Sequence, residues 1–277
     1  MNRYAVSIIS AALCCWLGAA TLSGAAEPDL NELFTSPETE GARIPAAVSL
    51  CSAYNELNSL IRDGRIGRIA ARTELFRMLT GIRAEYYRNG GRDYPATQWV
   101  FPVAGYAAGA IDKGGDHGFV PGGYDFFSGN RHGGHPAYDI FIRDRNQDRR
   151  DDRSGKPVSV LSMTGGIVVA LEKGWQQGSG LRGGNYLWVY DPANDLLVYY
   201  AHNEELFVTL GTIVRPGELL ASVGRSGLNA AKRRSPTHLH FSVLHLVDGK
   251  PVPVNVYRDL QRVCRVRSEG LLSGDFL

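Results

Sequence analysis

The sequence predicts a mainly β protein, an antiparallel β-sheet domain preceded by an N-terminal α-helical hairpin. Three observations carry this. Apolar residues recur at helical spacing over two stretches before about residue 90. After Trp99 the texture changes to short runs rich in strand formers: "GGIVVAL", "NYLWVYD", "LLVYYAH", "ELLASVG" and "THLHFSVLHL". Gly, Pro, Asn and Asp separate those runs, as they do where antiparallel strands turn back on one another.

The 277 residues leave room for one large domain, or for one domain with a smaller companion. With 44% apolar and 21% charged residues the chain can build a core. A formal net charge of +2 argues against a protein held to nucleic acid by charge, so no nucleic-acid partner is expected.

Residues 1–26 stand apart. "MNRY" carries one Arg, "AVSIISAALCCWLGAATL" is apolar, and "SGAA" supplies small residues before Glu27. This reads as a signal peptide cut after Ala26; the alternative is an N-terminal membrane anchor, for which the run is near the lower length limit. A lipid-attachment cysteine is disfavoured, because Ala-Ala-Leu before Cys14 is the wrong order. Cleavage would leave no stable membrane insertion and an exported chain, secreted into the periplasm or the extracellular space. It removes Arg3 and no acid, taking the charge from +2 to +1. It also removes Cys14 and Cys15. Cys51 and Cys264 remain, and in an oxidising compartment such a pair usually forms a disulfide; two buried free thiols are the alternative.

Residues 27–94 form the N-terminal helical segment. After a polar lead-in, Leu50, Tyr54, Leu57 and Ile61 place a helix over about 44–62, which Asp63-Gly64 ends. Leu75, Leu79, Ile82 and Tyr86 place a second over about 66–88, broken by "NGGRDYP". Nothing in the hairpin suggests chemistry; its place before a β domain suggests packing, or a cover over that domain's groove. The β domain spans 95–258, followed by a tail over 259–277. Residues 104–134 are glycine-rich and poor in strand formers, a long loop of the kind that tends to be functional. "VRPGE" at 214–218 reads as a turn between two strands.

Chemistry-bearing residues cluster in the β domain. "RSPTHLHFSV" puts His238 and His240 at alternate positions of a strand, hence on one face. "HPAYDIFI" gives His135 and, four residues on, Asp139 leading into a strand. "YYAHN" places His202 at the end of another. Zinc suits this set: it takes imidazole nitrogen and carboxylate oxygen, and a catalytic site keeps three protein ligands with one position open. Two remaining histidines could serve as general base and as donor to a developing oxyanion, which is the equipment for amide hydrolysis. Each piece alone is a weak signal; together, in this order, they are much stronger.

Over about residues 98–257 the order and flanking residues resemble the lysostaphin/LytM-type zinc metalloendopeptidases, peptidoglycan hydrolases that cut peptides in bacterial cell walls. "FPVAG" looks like that family's opening strand, "HPAYDIFI" like its H-x-x-x-D, and "GGIVVAL" like its G-x-V strand. "GGNYLWVYD" and "LVYYAHN" resemble its central strands, "VRPGELLASVGRSG" its turn, and "SPTHLHFSV" its G-P-H-L-H-F. The resemblance implies an antiparallel β-sheet peptidase domain of the lysostaphin/LytM type. It implies one Zn2+ on His135, Asp139 and His240, with His202 and His238 as the catalytic pair. Peptidoglycan peptides would be the substrate. Two other readings stay open: a catalytically inactive LytM-fold protein that binds and activates other wall hydrolases, and an exported metalloproteinase of broader specificity. Inactive members lack a ligand, whereas all five positions are filled here.

The chain departs from the family pattern in two loops. The stretch 104–134 is longer and richer in glycine, and "NAAKRRSPT" replaces a short Ser-Thr-Gly approach to the H-L-H; both would border the cleft. His132 to Asp139 has the H-x6-D spacing of the D-alanyl-D-alanine metallopeptidases, but their downstream Glu-x-x-His is missing, which leaves His132 at the cleft edge. His117 and His245 have no partner pattern, and His245 falls on the strand face away from His238 and His240. In "RDRNQDRRDDRSG", Asp144, Asn146, Asp148 and Asp152 occupy the first, third, fifth and ninth positions of a calcium-loop pattern. Arg149 and Gly155 stand where that pattern wants Gly and Glu. The loop reads either as a Ca2+ site or as acids paired with the interleaved arginines.

Overall fold

The protein is described from a computed structural model over residues 46–263; the signal-peptide and Cys264 readings lie outside these residues. Two helices come first, α1 (Ala46–Arg62) and α2 (Arg68–Arg88). Arg62 and Arg88 end them where Asp63-Gly64 and Asn89-Gly90 interrupt the helical pattern. Gly64 turns the chain with φ +67°, a left-handed conformation open to glycine. Tyr54, Leu57 and Ile61 of α1, and Leu75, Leu79, Ile82 and Tyr86 of α2, are all buried.

Nine strands follow: β1 (Tyr138–Phe141), β2 (Ser159–Leu161), β3 (Gly166–Glu172), β4 (Asn185–Asp191), β5 (Leu196–Leu206), β6 (Ile213–Val214), β7 (Leu219–Val223), β8 (His238–Val247) and β9 (Lys250–Pro253). They form one sheet in the order β1-β8-β5-β4-β3-β6, with β7 on β5, β2 on β7 and β9 on β8. All recorded pairings are antiparallel. The "FPVAG" stretch does not form an opening strand. Val103 makes only an isolated bridge to Val160. Pro102 has no N–H to offer a ladder, and Gly105 turns away with φ +74°.

Alternation along the strands divides the core in two. Leu187, Val189, Val198, Tyr200, Leu239, Phe241 and Val243 face one side, with Val160 of β2 and Leu220 and Val223 of β7. Tyr186, Trp188, Tyr190, Leu197, Ala201 and Leu244 face the other, where the helical hairpin packs on them. The hairpin thus shares a core with the sheet. On β8 the residues pointing to the helix side are His238, His240, Ser242 and Leu244. Leu244 is covered by the hairpin's cluster, and the three polar residues line a cleft beyond it. Among the described residues no helix is long and apolar enough to cross a membrane.

Candidate metal centre and cleft

The β1–β8 ladder sets the site's geometry. Its register puts Asp139 opposite His240 and Phe141 opposite His238. The carboxylate of Asp139 therefore projects between imidazoles. Its Oδ1 lies 3.3 Å from His135 Nε2, 3.1 Å from His240 Nδ1 and 3.7 Å from His238 Nε2. His135, Asp139 and His240 form the group whose donor atoms all lie within 4.8 Å of one another. Donors bound to one tetrahedral zinc at ~2.0–2.2 Å stand roughly 3.3 Å apart. The two spacings to Asp139 match that and the third pair lies within 4.8 Å, so the donor set fits the ion.

His202 reaches this cluster by a broken rule. Ala201 opposes His240 across the β5–β8 ladder, so strict alternation would send the next side chain to the opposite face. Instead His202 has φ +65°, a left-handed conformation uncommon for a residue with a Cβ. Its ring centroid stands 5.0 Å from that of His238 and 5.5 Å from that of His240. Its N–H donates to the carbonyl of Gly183. The sequence placed His202 at a strand end. In fact β5 runs on to Leu206, and His202 sits at a break inside it. Such strained positions persist only where the surroundings impose them, and they gather at functional sites.

Main-chain carbonyls fix the tautomers of three of these rings. Nδ1 of His135 lies 2.8 Å from the carbonyl of Gly118, that of His202 2.8 Å from Ser226, and that of His238 2.7 Å from Pro236. A carbonyl only accepts, so each neutral ring carries its proton on Nδ1 and keeps a lone pair on Nε2. The loop bearing Gly118 is itself tied down, because His135 and Val120 exchange two backbone hydrogen bonds. Gly134 makes that approach feasible: it has φ +72°, and a Cβ there would meet the carbonyl of Gly122 at 2.4 Å.

Charge follows burial and contact. Burial alone would raise the Asp139 carboxyl. The hydrogen bonds from His135 and His240, with the nearby His238, outweigh it and hold that carboxyl far below the usual range. Burial lowers His202 well below an ordinary histidine, helped by His238 and His240. Burial also lowers His240, against the pull of Asp139. The hydrogen bond to Asp139 raises His135. The cluster is thus an ionised carboxylate among imidazoles, two of which burial holds neutral, as a cation site requires.

The cleft around this cluster encloses about 360 Å³. Tyr124, Phe126, Tyr186, Trp188 and Tyr199 form an aromatic wall, with Trp188 and Tyr199 4.4 Å apart between centroids. Asn58, Ile61 and Arg62 at the end of α1 close one side. Both departing loops border it: His132 and Asn130 from the glycine-rich stretch, and Asn229, Ala230 and Ser235 from "NAAKRRSPT". His132 thus lies at the cleft edge, while His245 is exposed elsewhere and His117 stacks on Tyr257 at 3.6 Å.

The acids of "RDRNQDRRDDRSG" do not converge. Asp144 accepts from the backbone N–H groups of Asp148 and Arg149 and from the Thr237 hydroxyl. Asp152 accepts from the N–H of Arg145. Asn146 donates to Asp148. Among the described residues, Asp144, Asp148 and Asp152 are not part of any His, Cys, Asp or Glu group spaced to hold a metal ion. The interleaved arginines do not pair with them either: Arg143 pairs with Asp151 and Arg149 with Glu204. Cys51 is buried, and burial pushes its thiol up to about 12.

The antiparallel sheet thus carries a His-Asp-His group spaced to hold a cation, with two further imidazoles alongside. Residues 151–254 match the family model of peptidase family M23. The matched span contains His202, His238 and His240; His135 and Asp139 precede it. No curated protein matches the chain. Similar solved structures include a zinc-containing peptidase from Vibrio cholerae, 24% identical over 60% of this chain with a TM-score of 0.35. The chain spans only 41% of that protein's length. The catalytic domain of lysostaphin from Staphylococcus simulans is 19% identical, with 47% of this chain and 81% of that one covered and a TM-score of 0.32. A Ruminococcus gnavus structure, provisionally described as a glycyl-glycine endopeptidase LytM, is 20% identical, with 85% and 95% covered and a TM-score of 0.40.

Proposed function

We propose that the protein is an exported zinc-dependent endopeptidase that hydrolyses the peptide cross-links of bacterial peptidoglycan. The observation that carries this is the His135-Asp139-His240 group, with donor spacings of 3.1 and 3.3 Å, in the floor of an aromatic cleft. The match of residues 151–254 to the model of peptidase family M23 supports the reaction class. In this reading His135, Asp139 and His240 hold one zinc ion. When bound, zinc supplies Lewis-acid polarisation of the scissile carbonyl and acidifies water.

The chain's own residues do the rest. His202 and His238 present Nε2 toward the cluster, each held by a carbonyl on Nδ1. One accepts a proton at Nε2 from the attacking water, and the other, once protonated there, donates to the oxygen on which charge develops. The low basicity of buried His202 keeps its lone pair available at neutral pH. The aromatic wall excludes bulk water and gives the peptide backbone a flat surface to lie on. All five positions are filled, which weighs against an inactive binding protein. The signal-like segment over 1–26 supports export.

The test is digestion of purified cross-linked peptidoglycan, with chelator, added zinc and His240→Ala as controls. Release of un-cross-linked peptides that needs both zinc and His240 is expected. No release from a protein that binds one equivalent of zinc would refute the peptidoglycan assignment; casein-type substrates would then test the broader proteinase.

A further inference from the structure

The chain's formal charge is nearly balanced, at +2, but its cations are not evenly spread. Residues 143–156 hold six Arg or Lys against four Asp, and residues 232–234 add Lys-Arg-Arg. These two loops therefore carry a larger positive excess than the whole chain. The fold brings them together. Phe141 pairs with His238 at the end of the β1–β8 ladder, so the segment after β1 meets the segment before β8. Gln147 donates to the carbonyl of Arg233 at 2.9 Å, Ile142 N–H to that of Thr237 at 3.1 Å, and the Thr237 hydroxyl to Asp144 at 2.6 Å.

Between the loops is a concavity of about 690 Å³ lined by Arg143, Arg145, Arg153 and Arg234 with Asp144 and Asp152. Arg143 is paired with Asp151. Arg145, Arg153 and Arg234 have no carboxylate partner among the described residues, and all three are exposed. The two acids in the wall are already engaged: Asp144 accepts three hydrogen bonds, and Asp152 accepts from Arg145 N–H. They keep their negative charge, but neither forms an ion pair with Arg145, Arg153 or Arg234, and the two loops together keep a net positive excess. Three unpaired guanidiniums around one concavity, on loops cross-tied by hydrogen bonds, present a planar donor fork suited to oxyanions.

We propose that this concavity is an oxyanion-binding exosite that docks the protein on its polymer through carboxylate or phosphate groups. The oxyanion chemistry rests on the arginines alone; the choice of cell wall as the polymer rests on the proposed function above. The exosite begins beside Thr237, one residue before His238, so a docked strand would be held near the cleft's His238 end.

The test measures binding with chelator present, so that no cleavage occurs and failure of the peptidase reading leaves the readout intact. The purified protein is co-sedimented with intact walls and with walls stripped of phosphate polymers by hydrofluoric acid, at about 50 mM salt. Arg145→Gln/Arg153→Gln/Arg234→Gln is expected to bind at least about tenfold more weakly than wild type, with a shallower salt dependence. Arg65→Gln/Arg92→Gln/Arg258→Gln, which makes the same charge change elsewhere, is expected to bind as wild type does. Loss on both wall preparations supports carboxylates as the ligand, and loss on intact walls alone supports phosphates. Should the triple variant melt early, the single Arg234→Gln carries the test, with a weakening of about threefold. No wild-type binding, equal binding by the triple variant, or equal weakening by the control variant would overturn the proposal.

Discussion

Gly227→Ala tests whether the backbone around His202 is as crowded as the structure has it. Gly227 has φ +110°, and a Cβ there would stand 2.5 Å from the carbonyl of Arg182, 2.8 Å from His202 Nδ1 and 3.0 Å from Gly184 N. Two of these neighbours are main chain and cannot swing aside. The backbone conformation alone costs an L-residue about 1–2 kcal/mol. Forcing a methyl into a filled space adds about 1–3 kcal/mol, for a total of about 2–5 kcal/mol. Gly90→Ala is the matched control: its φ is +87°, with nothing within 4 Å of the added Cβ. At about 2–4 °C per kcal/mol for a chain of this size, calorimetry should show a fall of about 4–20 °C for Gly227→Ala. The control, which carries only the backbone cost, should fall by about 2–8 °C. The methyl also competes with the Ser226 carbonyl for the His202 ring. If the ring shifts by about 1 Å, peptide hydrolysis should fall by about 100-fold, while Gly90→Ala keeps its rate. Equal melting temperatures for the two variants would refute the crowding argument. An undiminished rate in Gly227→Ala would refute the link to His202.

Other outcomes follow from the same geometry. His135→Ala, Asp139→Ala and His240→Ala should each lower zinc affinity by at least about 100-fold in a competition titration, whereas His202→Ala and His238→Ala should retain the metal and lose hydrolysis by about 100- to 10,000-fold. Retention of tight zinc binding by His240→Ala would sink the ligand assignment. Tyr200 is fully buried and its hydroxyl accepts the N–H of Met163 at 2.8 Å; Tyr200→Phe strands that donor and should cost about 1–3 kcal/mol, so an unchanged denaturation midpoint would count against it. Asp151 is held well below the usual carboxylate range by the Tyr106 hydroxyl, against burial, and by the N–H groups of Ser154 and Arg153 and by Arg143. A depressed folded value gives stability that is present above the unfolded value and lost as pH falls below it. Asp151→Asn should therefore be less stable than wild type at pH 7, with the gap narrowing toward pH 3; a gap that stays constant would show that the charge is not what matters.

The strands and the clustering of His135, Asp139 and His240 were legible because period-two alternation and turn residues report directly on them. His238 and His240 had to share a face once "THLHFSVLHL" was read as a strand, and His135 with Asp139 had only to lead into its neighbour. The helix ends were legible for a related reason, since Asp63-Gly64 and Asn89-Gly90 break the apolar period. What remained hidden was set by main chain. Nothing in "YYAHN" announces that His202 adopts φ +65° and crosses to the other face. Nor do carbonyls leave a residue-type signature, so the contacts of Gly118, Ser226 and Pro236 to the three rings were invisible; Gly227 and Gly134 were the available signals. "FPVAG" misled because its apolar residues suit a strand while Pro102 and Gly105 forbid one. The acid spacing in "RDRNQDRRDDRSG" suits a calcium loop, but Asp144 spends its oxygens on backbone N–H groups and Thr237.

The hairpin's shared core bears on how this chain can be divided. α1 and α2 cover Ile167, Val169, Trp188, Tyr190, Leu197 and Leu244 of the sheet, all of them buried. A fragment starting at residue 95 would bare that apolar face to water and would tend to aggregate. Comparing such a fragment with the full chain therefore cannot report whether the end of α1 restrains the cleft, because loss of activity would follow from loss of solubility. Point changes at Asn58 or Arg62, which touch the cleft but are not part of the apolar cluster, would ask that question of a protein that still folds. Modularity follows the same line. A chimaera that borrows this sheet must carry residues 46–88 with it, so the unit available for recombination is larger than the stretch that holds the His-Asp-His group.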